Sequence, residues 1–145
     1  MDYEKLKEFR NTSPGFIRQI GLLITHIEDG AAEGRLVLTK DHSNPIGSIH
    51  GGLLFTVSDT VGGVTASSKG RMVTTVNASI SYLRAGKVGD ELIVKGKVVK
   101  SGKLLCVVQI DVYNQNNVQL TTSVITYHFL SKEMDVDELI KNLQE

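Results

Sequence analysis

The residues best equipped for chemistry lie between Asn44 and Asp59, in the run NPIGSIHGGLLFTVSD. A carboxylate, Asp59, follows the triplet His50-Gly51-Gly52 at a distance of about two helical turns. A carboxylate can act as general base on water or as a nucleophile. Backbone N–H groups at a helix start carry partial positive charge, and they bind oxyanions or polarise carbonyls. Neither Gly51 nor Gly52 has a side chain to block an approaching carbonyl, although the same glycines would also serve a tight turn.

This chemistry needs a helix, and the residues are in conflict over one. Thr56, Val57, Thr60, Val61, Val64 and Thr65 are β-branched, and Gly62 and Gly63 are poor helix formers. The periodicity points the other way: Leu53, Val57, Val61 and Val64 recur at steps of four, four and three and draw one apolar stripe. A strand from Leu53 to Ser68 would far exceed the usual ~5–6 residues. Packing supplies most helical stability, so the spacing predicts a helix that a sheet must cover. On that helix Asp59 leaves the stripe and shares a face with Phe55, Gly62, Gly63 and Ala66. The small residues leave room for another chain or a ligand, and the acid has few ways to be hydrated. The plainer alternative is a solvent-facing aspartate on a surface helix.

The ordered set Asn44-Pro45-x-Gly47-x-x-His50-Gly51-Gly52, with Phe55 and Asp59, resembles the signature of hotdog-fold acyl-CoA thioesterases of the phenylacetate-degradation (PaaI) type. Tyr82-Leu83-Arg84-Ala85-Gly86-Lys87-Val88-Gly89-Asp90 resembles the next block of that branch, and Ser101-Gly102-Lys103 its following hairpin. The likeness runs from about Phe16 to Leu130 and implies an α+β hotdog fold, a curved antiparallel sheet wrapped around one long central helix. It implies hydrolysis of an aryl- or medium-chain acyl-CoA, with coenzyme A entering as part of the substrate and no separate cofactor or metal. By resemblance, Asp59 is the catalytic carboxylate and the Gly51 N–H polarises the thioester carbonyl. Asn44 donates a side-chain N–H to the same oxygen or orients the acyl group. His50 holds the loop, and Gly52 belongs to the substrate-binding surface. Thr75 faces Asp59 across a dimer and holds the water, while Arg84, Lys87 and Lys103 contact the phosphates of coenzyme A. Some hotdog thioesterases carry Glu where this chain has Asp59, which favours the PaaI branch. Ala85 replaces that branch's proline. Phe16, Leu23, Leu54 and Phe55 are candidates to line an aryl or alkyl pocket.

Composition sets the outer limits. The 145 residues can bury a real core and read as one domain, with an N-terminal helical segment over 1–15 and a C-terminal helix over 132–145. Formal net charge is +0, so there is no basic footprint for nucleic acid. The single Cys106 excludes an internal disulfide and, with no apolar run near ~20 residues and no signal-like start, points to the cytoplasm. His26, His42, His50 and His128 show no metal-ligand spacing, and no phosphate-binding glycine loop is present.

The remaining segments read as strands. Leu22 to Glu28 and Glu33 to Thr39 flank a turn at Asp29-Gly30-Ala31-Ala32. After Lys69-Gly70, a helix stop, come four alternating β-branched runs, Met72–Leu83, Glu91–Lys100, Lys103–Tyr113 and Val118–Phe129. Their short connections predict an antiparallel meander, with Val76, Ala78, Ile80 and Tyr82 on one face of the first. Asp135 and Glu138 predict a capping box on the last helix. An open sheet leaves an edge that invites pairing. Hotdog domains pair through such an edge, which implies a homodimer, a dimer of dimers, and active sites shared between subunits. A competing function is a hotdog module that binds acyl-CoA or another apolar ligand without turnover. A dehydratase fits less well, because it needs a histidine paired with an acid across its site.

Overall fold

The computed structural model describes all 145 residues. Six antiparallel strands form one sheet: β1 (Leu23–Glu28), β2 (Ala31–Val37), β3 (Arg71–Tyr82), β4 (Glu91–Ser101), β5 (Leu105–Tyr113) and β6 (Gln119–Glu133). Their order across the sheet is β1-β2-β4-β5-β6-β3. The long helix α3 (Gly51–Ser67) packs on one face of it, touching β1 to β6. Leu53, Val57, Val61 and Val64, the stripe read from periodicity, are all buried there.

Tertiary fit explains why so poor a helix former is helical. The hydroxyls of Thr56, Ser58, Thr60 and Thr65 each donate to the carbonyl one turn back, which satisfies them without water. The β-branched side chains seat in notches left by glycines of the sheet. A Cβ on Gly34 would stand 2.9 Å from Val61 Cγ2, and one on Gly96 only 2.3 Å from Thr65 Oγ1.

Helix α1 (Tyr3–Thr12) buries Leu6 completely and ties to two places. Tyr3 Oη donates to the Ser68 carbonyl at the end of α3, and Asn11 exchanges two hydrogen bonds with the backbone of Ile24. A short α2 (Phe16–Ile20) follows, and α4 (Val136–Leu143) closes the chain, joined to α1 by the Lys5–Asp137 ion pair.

Several sequence expectations change. The meander holds only for β4, β5 and β6; β3 sits beyond β6 at the sheet edge. The Leu83–Asp90 connection is not a hairpin, and Gly86 packs within it against Leu38, Ile49 and Leu120. A bulge between Thr75 and Asn77 shifts the alternation, so Thr75 faces the helix and Val76 is 59% exposed. The β1–β2 turn is only Asp29-Gly30, because Ala31 and Ala32 pair with Glu28 and Ile27. Finally, β6 continues through Lys132 and Glu133, so the last helix starts at Val136. Its capping box is half formed: Asp135 accepts from the Glu138 N–H, while the Glu138 carboxylate pairs with Lys132.

Candidate active site

Asp59 lies midway along α3, half-buried. The chain reverses at Gly70, whose φ of +101° suits glycine, and β3 then runs back beside the helix. This reversal brings Thr75 to Asp59 within the same chain, and Thr75 Oγ1 donates to Asp59 Oδ1 at 2.8 Å. The expected contact across a dimer is therefore corrected to an intrachain one, fixed by the turn and the bulge.

A second donor was not legible in the sequence. Tyr127 on β6 pairs with Thr75 in the β3–β6 register. Its hydroxyl donates toward both the Asp59 carbonyl (2.9 Å) and Asp59 Oδ1 (3.1 Å). Tyr127 is only 1% exposed. Burial first, then the charge of Asp59 and the hydrogen bond to it, push its phenol far above the ordinary tyrosine range, so it stays a proton donor. Tyr127 also fills the space that the sequence assigned to an incoming ligand at Gly62: a Cβ there would stand 2.3 Å from the Tyr127 oxygen. At Gly63 the space stays open, with only Tyr127 Cε1 at 3.8 Å. Asp59, Thr60, Gly63, Val73, Thr75 and Tyr127 share a cavity of about 280 Å³. The aspartate is thus held by one oxygen, and Oδ2 makes no hydrogen bond within the chain.

The N-terminus of α3 is built separately. His50 is the N-cap and its Nδ1 accepts from the Gly52 N–H at 2.8 Å. The Gly51 N–H has no acceptor of its own in the chain. Tyr82, at the end of β3, donates its hydroxyl to the Gly51 carbonyl at 2.8 Å and lays its ring beside the glycine, where a Cβ would be 3.3 Å away. Asn44 uses Oδ1 to accept from the backbone of Ile46 and Ser48, shaping the turn that leads into the helix. Its amide N–H groups are not committed to that turn. A second cavity, about 390 Å³, opens beside this end, with Phe16, Ile20, His50, Gly52, Leu53 and Thr56 in its wall. Of the other pocket candidates, Leu54 is core and Leu23 is an exposed residue of β1.

One chain does not unite these two halves. Gly51 and Asp59 are eight residues apart on α3, about 12 Å along the axis. The cations divide the same way. Arg84 and Lys87 are exposed on the loop that follows Tyr82, and the Lys87 N–H donates to Asp90. Lys103 sits at the β4–β5 turn, where its carbonyl accepts from Arg71 at the start of β3. The 12 residues of β3 separate these ends by roughly 36 Å.

The family model for the thioesterase superfamily matches residues 46–130. The chain belongs to that superfamily. Among its relatives is the acyl-coenzyme A thioesterase PaaI of Escherichia coli, 31% identical over 98 residues, spanning 68% of this chain and 70% of that protein. The solved E. coli PaaI structure superposes with a TM-score of 0.82 over 90% of this chain and 99% of that one; at 24% identity this shows the shared hotdog fold. Streptococcus mutans smu.793, solved with acetyl CoA, matches at TM-score 0.76 and 29% identity, covering 79% of this chain and 92% of that one. A hypothetical thioesterase of Streptococcus pneumoniae TIGR4, solved with coenzyme A, matches at TM-score 0.75 and 31% identity over the same shares. That thioesterase was also solved as two alanine variants, of one aspartate and of one threonine sixteen residues further on. Asp59 and Thr75 have the same separation. No helix of the chain is long and apolar enough to cross a membrane, and no three His, Cys, Asp or Glu side chains converge as a metal site would require.

Proposed function

We propose that this thioesterase hydrolyses the acyl-CoA thioester bond at a site built by two protomers. Asp59 activates a water through its free Oδ2, or attacks the carbonyl itself, while Thr75 and Tyr127 hold Oδ1. The Gly51 N–H of the partner protomer polarises the thioester carbonyl, and the amide end of α3 favours the oxyanion. In the water route, the water oxygen bonds to the carbonyl carbon, the C–S bond breaks, and the proton taken by Asp59 passes to the leaving thiolate. The amide group of Asn44 supports the carbonyl oxygen, and His50 shapes the loop as the helix cap.

The observation that carries this reading is the anchored carboxylate together with an unclaimed Gly51 N–H about 12 Å away in the same chain. The exposed edge of β3 offers the way to join them. Antiparallel pairing of two β3 edges sets the Tyr82 end of one strand beside the Arg71 end of the other. That arrangement brings Gly51, Arg84 and Lys87 of one protomer toward Asp59 and Lys103 of its partner, with the three cations near the phosphates of coenzyme A. A dimer of dimers and a cytoplasmic setting complete the proposal, with an aryl or medium-chain acyl group as substrate. The relatives named for acyl-CoA hydrolysis and the neighbours solved with coenzyme A or acetyl CoA support it.

The test is thiol release from a panel of acyl-CoAs. Asp59→Asn and Asp59→Ala lower kcat at least ~100-fold with the fold intact, the scale of lost general-base catalysis. Turnover by Asp59→Ala at the unmodified rate would refute the site. Binding of acyl-CoA by the unmodified protein without thiol release would favour a non-catalytic module instead.

A further inference from the structure

The cavity at Asp59 has one more wall. Arg10, near the end of α1, lines it together with Gly63, Val73 and Thr74. A guanidinium carries five donors and a permanent charge. Arg35 and Arg71 spend theirs: Arg35 pairs with Glu33 and Glu91, and Arg71 donates to the carbonyls of Lys103 and Leu130. Arg10 takes part in none of the chain's salt bridges. Its Nε is sealed from solvent with no hydrogen-bond partner. Burial lowers its pKa.

A guanidinium with no partner in the chain is open to pairing with an anion that enters the cavity it lines. The cavity shows where such an anion would come from. Its wall includes both the carboxylate assigned to the thioester carbonyl and Gly63, where the helix wall is bare. Its volume of about 280 Å³ has room for a short acyl group. We infer that Arg10 binds an anionic group at the far end of the acyl moiety, so that short dicarboxylic acyl thioesters are preferred over the uncharged aryl or medium-chain esters considered above. The Asp59 charge does not forbid this, because two donors already hold Oδ1 and the acyl carbons separate the two carboxylates. The inference rests on Asp59 as the reacting centre.

The test compares glutaryl-CoA with pentanoyl-CoA, five-carbon acyl groups differing in the terminal carboxylate. In the full-length protein, kcat/KM for glutaryl-CoA exceeds that for pentanoyl-CoA by at least ~10-fold, the scale of one charge-assisted hydrogen-bonded pair. Arg10→Met lowers kcat/KM for glutaryl-CoA about tenfold more than for pentanoyl-CoA, and Arg10→Lys keeps part of the preference as a point charge. Equal rates on the two esters, or an undiminished preference in Arg10→Met, overturn the anchor while leaving the hydrolase reading intact. Should Arg10→Met fail to fold, the preference of the unmodified protein and its change in Arg10→Lys still decide. Binding to Asp59→Asn gives a readout without turnover. At least ~10-fold tighter Kd for glutaryl-CoA supports the anchor even if neither ester is hydrolysed, and equal Kd values refute it.

Discussion

Gly62→Ala tests the coupling between the helix and the tyrosine that holds the candidate base. The added Cβ would stand 2.3 Å from the Tyr127 oxygen, 2.9 Å from Ile110 Cδ1 and 3.2 Å from Tyr127 Cζ. Both neighbours are packed side chains, Ile110 being 0% and Tyr127 1% exposed. Overpacking of this kind costs about 1–3 kcal/mol. Displacing the tyrosine hydroxyl from Asp59 costs roughly another 1 kcal/mol. The better helix propensity of alanine returns about 1 kcal/mol. The net expectation is a loss of about 1–3 kcal/mol. Tyr127→Phe alone also destabilises, by about 1–3 kcal/mol, through the lost buried hydrogen bonds. It removes the atom in the tightest contact, however, so the double variant loses at least ~1 kcal/mol less than the sum of the two. Urea unfolding of the four proteins at one protomer concentration measures this cycle. Additivity within ~0.5 kcal/mol would mean that the alanine does not press on the tyrosine, and the close approach of α3 to β6 would be refuted.

Three further outcomes follow from the same geometry. The phenol of Tyr127 has its pKa raised by folding, so the unfolded chain releases that proton first; its contribution to stability is whole below pH ~10 and declines by about 1.4 kcal/mol per pH unit above it. Urea midpoints measured from pH 8 to 11 show this slope in the unmodified protein and a shallower one in Tyr127→Phe. Thr75→Val removes a donor to Asp59 while keeping the shape, and it lowers kcat about tenfold or more, with Thr75→Ser restoring most of it; equal kcat in Thr75→Val would separate the threonine from catalysis. His50→Ala loses the helix cap and costs about 1 kcal/mol, or roughly 3 °C in Tm by calorimetry. A fall in its kcat beyond ~100-fold would give His50 a direct chemical role instead.

What the sequence determined was local and periodic. The stripe from Leu53 to Val64 placed α3 against a sheet, because apolar spacing states which face must be buried even when propensity objects. The triplet at His50 marked the helix start, because caps and glycines act on their immediate neighbours. Alternation located the strands that cover the helix, and the ordered motif up to Asp59 pointed to the family that the superfamily match then showed. The tertiary structure decided everything that depends on register. A single bulge between Thr75 and Asn77 set Thr75 toward Asp59 on α3 and Val76 outward, and no alternation count reveals an inserted residue. The placement of β3 beyond β6 set Tyr127 opposite Thr75, which gave Asp59 a donor 68 positions away in the chain. Arg10 reached the same cavity only because α1 is tied to α3 at Ser68 and to β1 at Ile24. Such contacts arise from strand order and packing, which join residues whose separation along the chain carries no signal that they will meet.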